Sequence, residues 1–236
     1  MGALIDMEQP MLTTEFDRWW NSPGSWVEPA NQRRGGESGV RLLQQRDPAR
    51  APLYCKRQTG HTYRTLLHPF GRPTILRELH AYRAFARLGI RTPQLVYCAA
   101  RRQQGGWQAL LVTEALQGFV SLEQWYVGNE DRTLREAVLQ QLATTLARLH
   151  LSGWQHGCCY PKHIFVKVEE GGANSQVEIA LLDLEKSRRR WSLKRASRHD
   201  LGQLERHRGN IPESDLLQLR QAYCQALDGV RGGWQP

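Results

Sequence analysis

Apolar residues in the first half of the chain fall in short extended segments interrupted by one helical stripe. Residues 95–100 and 107–113 are apolar runs on either side of a polar, glycine-containing stretch, which predicts a β-hairpin. Residues 74–88 have the periodicity of a helix, with Thr74 as its cap and Gly89 as its stop. The predicted helical face carries Ile75, Leu79, Tyr82 and Ala86.

The segments before this helix are less regular. Residues 53–55 form a short extended candidate that runs into Lys56, whereas residues 57–72 are polar, are broken by glycine and proline, and are predicted as a loop. Residues 1–32 contain Trp19 and Trp20 and are predicted to be an N-terminal extension whose aromatic side chains pack onto the body of the protein.

The second half of the chain has mainly helical periodicity. Residues 121–126 predict a short helix, and residues 134–150 predict a long one with a continuous apolar stripe. Residues 164–168 and 177–182 predict a second hairpin, whose second strand runs directly into Asp183.

The order of these elements predicts an α+β fold with two lobes. We expect a strand-rich lobe with an antiparallel sheet and one helix over residues 33–115, and a mainly helical lobe over residues 116–236. Beyond Ser187 the chain is predicted to be helical, with Leu216 and Tyr223 on a final amphipathic stretch.

Composition narrows the class of protein. The 236 residues are 40% hydrophobic and 23% charged, which is typical of a packed globular protein and excludes a disordered chain. The net charge of +9 indicates an anionic partner: phosphate, nucleic acid or a negative membrane surface.

Asp6 and Glu8 argue against a cleaved signal peptide, and no apolar run approaches the ~20 residues of a membrane span. The five cysteines include no CxxC pair that could build a zinc site, so we expect a cytoplasmic protein with reduced thiols.

Several features stand in the order found in two-lobed phosphoryl-transfer enzymes. Backbone N–H groups in a glycine turn can approach phosphate oxygens, a lysine neutralises their charge, a helical glutamate holds the lysine, and an aspartate holds Mg²⁺. Taken singly, each feature also fits an ordinary turn, a solvated charge or a helix cap. In chain order they are a glycine turn (Gly35, Gly36, Gly39), Lys56, Glu78, a hairpin ending at Glu114, a loop with His156, and Asp183.

A longer motif makes the comparison specific. Residues 156–166 read His-Gly-Cys-Cys-Tyr-Pro-Lys-His-Ile-Phe-Val, and residues 182–186 read Leu-Asp-Leu-Glu-Lys. Together with the Lys56 strand and the Glu78 helix, they resemble the lipopolysaccharide kinase family, which contains Kdo kinases, heptose kinases and InaA-type proteins. The resemblance implies a protein-kinase-like fold and ATP-dependent phosphorylation of a sugar hydroxyl in the lipopolysaccharide inner core.

The resemblance also implies roles for individual residues. Lys56 would bind the phosphates of ATP, with Glu78 as its partner, beneath the glycine turn already described. Asp183 would hold Mg²⁺, and His163 stands where kinases usually place a second metal-binding residue, normally asparagine. Glu114 would lie near the hinge, where backbone groups meet adenine.

The sequence departs from the family pattern in the catalytic loop. Cys158, two residues after His156, occupies the position of the usual catalytic aspartate. A thiol is a poor base near neutral pH, because its reference pKa is about 8.5. Three alternatives follow: a substitute carboxylate such as Glu185, a thiolate favoured by nearby cations, or a pseudokinase that acts as a nucleotide-binding scaffold. Asp200, in turn, resembles a buried aspartate that braces this loop.

A basic segment follows the proposed metal aspartate. It contains no acid between Ser187 and His199, and Trp191 stands within it. The segment is either a solvated surface or a landing site for the lipopolysaccharide core, another phosphorylated glycolipid, or the inner face of an anionic inner membrane. A nucleic-acid partner is not expected, because no recognition module is present. The basic residues are Arg188, Arg189, Arg190, Lys194, Arg195 and Arg198.

Overall fold

The computed structural model describes residues 14–27, 30–33, 35–44, 47, 49–66, 68–103, 106–128, 131–169 and 176–232. The strand-rich half begins with helix α1 (Glu15–Asn21) and strands β1 (Gly24–Trp26), β2 (Asn31–Arg33), β3 (Gly36–Leu43) and β4 (Leu53–Thr59). It continues with β5 (Thr62–Thr65), β6 (His68–Pro73), helix α2 (Thr74–Arg87), β7 (Leu95–Gln103) and β8 (Gly106–Glu114).

The second half carries most of the helix. Its elements are β9 (Val120–Ser121), α3 (Leu122–Gly128), α4 (Arg132–Leu151), β10 (Trp154–Gln155), β11 (Ile164–Glu169), β12 (Gln176–Leu181), β13 (Arg188–Arg189), α5 (Leu193–Arg206) and α6 (Glu213–Gly232). The predicted helices and both predicted hairpins are therefore confirmed, with ends displaced by a few residues. Within the described ranges, no helix combines the length and apolar character needed to cross a bilayer.

The main sheet fixes the position of Lys56. Its strands run in the order β1-β3-β4-β8-β7, with β2 also paired to β3, and the ladders are antiparallel. Lys56 lies opposite Val40 of β3 and Leu111 of β8. Because β4 has a hydrogen-bonded neighbour on each side, the backbone of Lys56 is held at the centre of the sheet rather than at a strand end.

The predicted loop over residues 57–72 is wrong. Strand β4 continues to Thr59, and β5 and β6 form a two-stranded hairpin with an irregular register between Tyr63 and Thr65. Of the glycines that suggested a loop, Gly60 lies in the bend between β4 and β5 and Gly71 lies within β6; both have positive φ, a conformation that glycine adopts without strain. A short, exposed hairpin has little alternation of apolar and polar residues. The glycines and prolines of this segment therefore favoured a loop in the prediction.

Helix α2 buries most of the predicted face and further residues beside it. Ile75 and Tyr82 of the predicted stripe are buried, whereas Ala86 is exposed. Glu78, which lies outside that stripe, is buried as well. The predicted cap is wrong: Pro73 occupies the N-cap position, and Thr74 is the first helical residue. The wider buried face takes the Glu78 carboxylate into the interior, where a charged side chain is stable only with a partner.

The segment before Arg33 packs onto the sheet, as predicted from its aromatic residues. Phe16 joins a small buried cluster with Cys55 and Leu110, and Trp19 and Trp20 pack against that cluster. Strands β1 and β2 extend the sheet beyond β3. The N-terminal segment therefore contributes both strands and core to the strand-rich lobe.

The helical lobe is organised around α4. This helix buries Val138, Leu142 and Leu146 completely, and it packs along α6, where Leu219 and Tyr223 are buried. Burying a side chain of this kind contributes about 1.5–3 kcal/mol. Helix α4 thus provides the rigid base to which the loop after β10 is attached.

Candidate active site

Lys56 bridges two carboxylates between the lobes. Its Nζ lies 2.8 Å from Glu78 Oε2 on α2 and 2.9 Å from Glu185 Oε2, which follows β12. Burial alone would lower the pKa of Lys56, but the two carboxylates outweigh it and raise that pKa above its ordinary value. The pairing of Lys56 with Glu78 expected from sequence is therefore present, and Glu185 is an additional partner.

The cluster around Lys56 has more negative than positive charge. Asp183 also acts electrostatically on Lys56, and burial raises the pKa of Glu78 despite the opposing charge of Lys56. Burial would raise the pKa of Glu185, but the charge of Lys56 and its hydrogen bond lower it, which keeps Glu185 ionised. Carboxylate oxygens such as those of Glu185 and Asp183 are the ligands that a hard divalent cation prefers.

Gln58 connects this cluster to the elements around it. Its Oε1 accepts hydrogen bonds from Thr74 Oγ1 (2.9 Å) and the Ile75 N–H (3.2 Å), which satisfies the first turn of α2. Its Nε2 donates to Ser38 Oγ at 3.2 Å and reaches Glu185 Oε2 at 3.5 Å. One buried amide therefore links β3, the start of α2 and the carboxylate that binds Lys56.

Asp183 has a strained backbone. Its φ of 56° places it in the left-handed region, and it is the only non-glycine residue with positive φ among those described. Such a conformation costs about 1–3 kcal/mol and is characteristic of functional sites. Burial would raise the pKa of Asp183, but Lys56 and His163 lower it, so the carboxylate is ionised, and its side chain is 32% exposed.

Cys158 is buried and protonated. Its side chain is 2% exposed, and burial together with the neighbouring Asp183 carboxylate raises the pKa of the thiol to about 12. The alternative of a thiolate favoured by nearby cations is therefore wrong, because carboxylate and burial outweigh Lys186. The alternative in which Glu185 substitutes as base is weakened, since its carboxylate is engaged by Lys56.

His163 completes a three-residue group with Cys158 and Asp183. One ligand atom from each residue lies within 4.8 Å of the others. The imidazole Nδ1 is 3.0 Å from the Cys158 carbonyl oxygen and 3.7 Å from Asp183 Oδ2. Burial lowers the pKa of His163 despite the opposing effect of Asp183, so the ring is neutral at physiological pH.

Asp200 on α5 holds the loop that carries these residues. It is fully buried and accepts hydrogen bonds from the backbone N–H groups of His156 (2.7 Å) and Gly157 (3.0 Å). Gln203, one turn further along, accepts a hydrogen bond from the Cys159 N–H at 2.9 Å. The predicted bracing role of Asp200 is confirmed.

His156 is placed inside the loop rather than at its surface. Its side chain is fully buried, burial lowers its pKa, and its Nδ1 accepts a hydrogen bond from the Cys158 N–H at 3.3 Å. This geometry makes His156 a positioning residue, because its imidazole shapes the backbone beside Cys158 and does not face the cleft.

The predicted glycine turn forms the tip of the β2–β3 hairpin. Gly35 has a φ of 71°, and a Cβ there would meet nothing within 4 Å. A Cβ on Gly36 would come within 2.2 Å of the Thr59 carbonyl oxygen, and one on Gly39 within 2.6 Å of the Trp26 ring. Strand packing therefore accounts for Gly36 and Gly39, and Gly35 alone has open space for a ligand.

Glu114 ends β8, as predicted. Its backbone N–H donates to the Gln94 carbonyl oxygen at 2.9 Å, and the next N–H, of Ala115, donates to Pro52 at 2.7 Å. Both donors are thus used within the protein, so a contact between adenine and this part of the hinge would involve other backbone groups.

A groove of about 490 Å³ adjoins the same loop. Tyr160 connects the groove to the site, since its ring contacts His163 with centroids 5.5 Å apart and His207 with centroids 4.7 Å apart. The lining has mixed charge, with three basic side chains and two acidic ones: Lys162, Arg206, Arg208, Glu123 and Glu205. Sequence reasoning did not identify this groove, because Tyr160 and the residues after α5 are far apart in the chain.

The basic segment lies on the surface beside the site. Arg188 and Arg189 are exposed in β13, which pairs with β10, and Trp191 is fully exposed. On α5, Lys194 and Arg195 are exposed as well. The charge predicted from the sequence is therefore available to an anionic partner.

Comparisons with known proteins agree with this geometry. Residues 17–223 match the family described as Lipopolysaccharide kinase (Kdo/WaaP). The chain is 40% identical to Protein InaA of Escherichia coli (strain K12) over 213 residues, which covers 89% of this chain and 95% of that protein. It is 25% identical to the lipopolysaccharide core heptose(I) kinase WaaP of the same organism over 126 residues, or 49% of this chain and 48% of that protein. A solved structure, WaaP in complex with acyl carrier protein, superimposes with a TM-score of 0.64 at 18% identity and covers 94% of this chain and 91% of that chain. This likeness confirms the two-lobed kinase-like α+β fold.

Proposed function

The chain belongs to the lipopolysaccharide kinase (Kdo/WaaP) family, and from this premise we propose that it transfers phosphate from ATP to a sugar hydroxyl of the lipopolysaccharide inner core. The observation that carries the proposal is the Lys56 cluster. A buried lysine on a central strand is held by Glu78, and ionised Asp183 lies beside it in a strained conformation. Buried charges and a strained residue both reduce the stability of a fold. Such features are common at functional sites.

The residues present fit a nucleotide and its metal in part. Lys56 would hold the phosphates. Asp183 and Glu185 provide carboxylate oxygens, the ligands that Mg²⁺ prefers. When bound, Mg²⁺ neutralises the charge of the phosphate oxygens. His163, expected as the second ligand, offers nitrogen, which suits Mg²⁺ less well than oxygen.

The groove next to Tyr160 is the proposed acceptor site. It adjoins the loop of Cys158 and His163, and its lining offers basic groups for the phosphates of a sugar and carboxylates, Glu123 and Glu205, that can accept hydrogen bonds from sugar hydroxyls. Phosphoryl transfer depends mainly on positioning and electrostatics, so a groove that aligns the acceptor hydroxyl would contribute more than a strong base.

We further propose that the basic segment contacts an anionic membrane surface or its glycolipid headgroups. Each basic residue near such a surface contributes about 1 kcal/mol, and exposed Trp191 suits the interface. Co-sedimentation with anionic vesicles tests this contact: we expect binding that is lost in Arg189→Glu, and equal sedimentation of both proteins would contradict it.

A second candidate function is a nucleotide-binding scaffold without transfer activity. The protonated state of Cys158 favours it, because a thiol with a pKa of about 12 accepts no proton from an acceptor hydroxyl at neutral pH. The two functions share nucleotide binding and differ in turnover.

Nucleotide binding is the first experimental test. We expect ATP with Mg²⁺ to raise the melting temperature of the wild type, because a ligand at 100 times its Kd stabilises by about 2.7 kcal/mol. Asp183→Asn should lose most of this shift, whereas the control Glu169→Gln, at the exposed last residue of β11, should retain it. Absence of a shift in the folded wild type would contradict both candidate functions.

A further inference from the structure

Three different donor atoms converge beside the Lys56 cluster. Cys158 offers sulfur, His163 nitrogen and Asp183 oxygen, and these atoms lie within 4.8 Å of one another. In a tetrahedral zinc site, metal–ligand bonds of about 2.0–2.3 Å place ligand atoms roughly 3.4–3.8 Å apart. Side-chain movements of about 1 Å would therefore close the group around a single ion.

The donor set selects the class of metal. Mg²⁺ requires near-octahedral oxygen ligands, and a thiol sulfur is a poor ligand for it. Thiolate, imidazole and carboxylate together are typical of zinc and of its spectroscopic substitute, cobalt. Sulfur at the position of the usual catalytic aspartate thus adds a ligand for a softer cation, whereas Mg²⁺ would use the carboxylate oxygens of Asp183 and Glu185.

The backbone fixes two of the donors before any ion binds. Cys158 and His163 belong to one short loop, and His163 Nδ1 contacts the carbonyl oxygen of Cys158 itself at 3.0 Å. With Nδ1 donating to this carbonyl oxygen, Nε2 is the ring nitrogen that would bind the metal, and a hydrogen bond of this kind is a common outer-shell arrangement that orients the ring. Pro161 opens the 3-10 turn that ends at His163 and further limits the loop.

Asp183 leaves one side of the group open. Its side chain is 32% exposed, whereas that of His163 is 16% exposed and Cys158 is buried. Three protein ligands with an open fourth position are the pattern of catalytic rather than structural zinc sites.

We propose that Cys158, His163 and Asp183 form a three-ligand site for one thiophilic divalent cation of the zinc class, with a fourth position open to water or to an anionic oxygen. Binding replaces the thiol proton of Cys158 by the metal, and the proton passes to solvent. The site lies in the loop assigned to phosphoryl transfer, but cation binding does not depend on that activity.

Cobalt titration of the purified full-length chain tests the site. We expect one Co²⁺ per chain, a thiolate-to-cobalt charge-transfer band, and displacement of that band by Zn²⁺. Cys158→Ser should remove the band and weaken Zn²⁺ binding by about 100-fold or more, since even outer-shell changes cost about 10–100-fold. Cys224→Ser is the matched control, because Cys224 is an exposed free cysteine elsewhere in the chain, and its band should equal that of the wild type.

The outcomes separate this site from the proposed function. Absence of the band in the folded wild type, a band that persists in Cys158→Ser, or a band lost in Cys224→Ser would each overturn the metal site. If Cys158→Ser fails to fold, His163→Asn is used instead. It should weaken Zn²⁺ binding but still show the thiolate-to-cobalt band, because Cys158 is unchanged. Stabilisation by ATP with Mg²⁺ is measured on the same samples: its loss alone contradicts the proposed function, and loss of the cobalt band alone contradicts the metal site.

Discussion

Replacing Asp200 with alanine is expected to lower the free energy of unfolding by about 2–6 kcal/mol. The substitution leaves the buried N–H groups of His156 and Gly157 without an acceptor, and each unpaired buried donor costs about 1–3 kcal/mol. It also removes the partner of His150 Nε2, which lies 3.1 Å from Asp200 Oδ2. Because small domains are stable by only about 5–15 kcal/mol, urea unfolding should reveal a large loss.

Two controls make the Asp200 prediction specific. Glu136→Ala removes an exposed ion pair with Arg132, which is worth about 0–1 kcal/mol, and should leave the midpoint almost unchanged. Asp200→Asn keeps one acceptor oxygen and should fall between wild type and Asp200→Ala. An Asp200→Ala midpoint equal to that of Glu136→Ala would contradict the bracing role.

The Asp200 contribution should also depend on pH. Burial would raise the pKa of Asp200, but its hydrogen bonds and the neighbouring histidines lower it below the ordinary carboxyl value. A lowered folded-state pKa gives stability that is fully present above the unfolded carboxyl pKa and is lost as the pH falls through the folded value. The difference between wild type and Asp200→Asn should therefore shrink in acid.

Replacing Cys158 with aspartate is expected to raise the phosphotransfer rate in Mg²⁺ by about 10²–10⁴-fold. General-base assistance is worth this much, and the protonated Cys158 thiol does not provide it. The measurement is turnover of ATP with lipopolysaccharide core as acceptor.

Cys158→Ala provides the matched control for this prediction. With Mg²⁺ as the only divalent cation, it should transfer phosphate at about the wild-type rate, because it removes a group that does not act as base. Cys158→Asp must melt near the wild-type temperature for the comparison to hold, since it places a carboxylate beside Asp183. A folded Cys158→Asp protein with no gain in rate would contradict the assignment of Cys158 to the catalytic position.

Long periodic elements and their order were predictable from sequence. In helix α4 and in the β7–β8 hairpin, the spacing of apolar residues along the sequence is enough to predict the type of element. The pairing of Lys56 with Glu78 followed from the order of motifs, although the predicted face of α2 did not include Glu78. A helix that buries a glutamate does not show that residue as part of its apolar stripe.

The remaining features depend on contacts between distant parts of the chain. Glu185 stands two residues after Asp183, but only the fold brings it to Lys56. The high pKa of Cys158 arises from burial and from Asp183, neither of which is visible in the local sequence. The network through Gln58 was missed for the same reason, because its partners lie on β3, on α2 and after β12.

Transfer of labelled phosphate from ATP to isolated lipopolysaccharide core tests the central claim most directly. We expect the wild type to label the core in Mg²⁺ and Asp183→Asn to do so at least about 10²-fold more slowly, because removing one electrostatic group from an active site typically costs about 10²–10³-fold. Equal labelling by both proteins, or no labelling by folded wild type that binds ATP, would contradict phosphate transfer by this site.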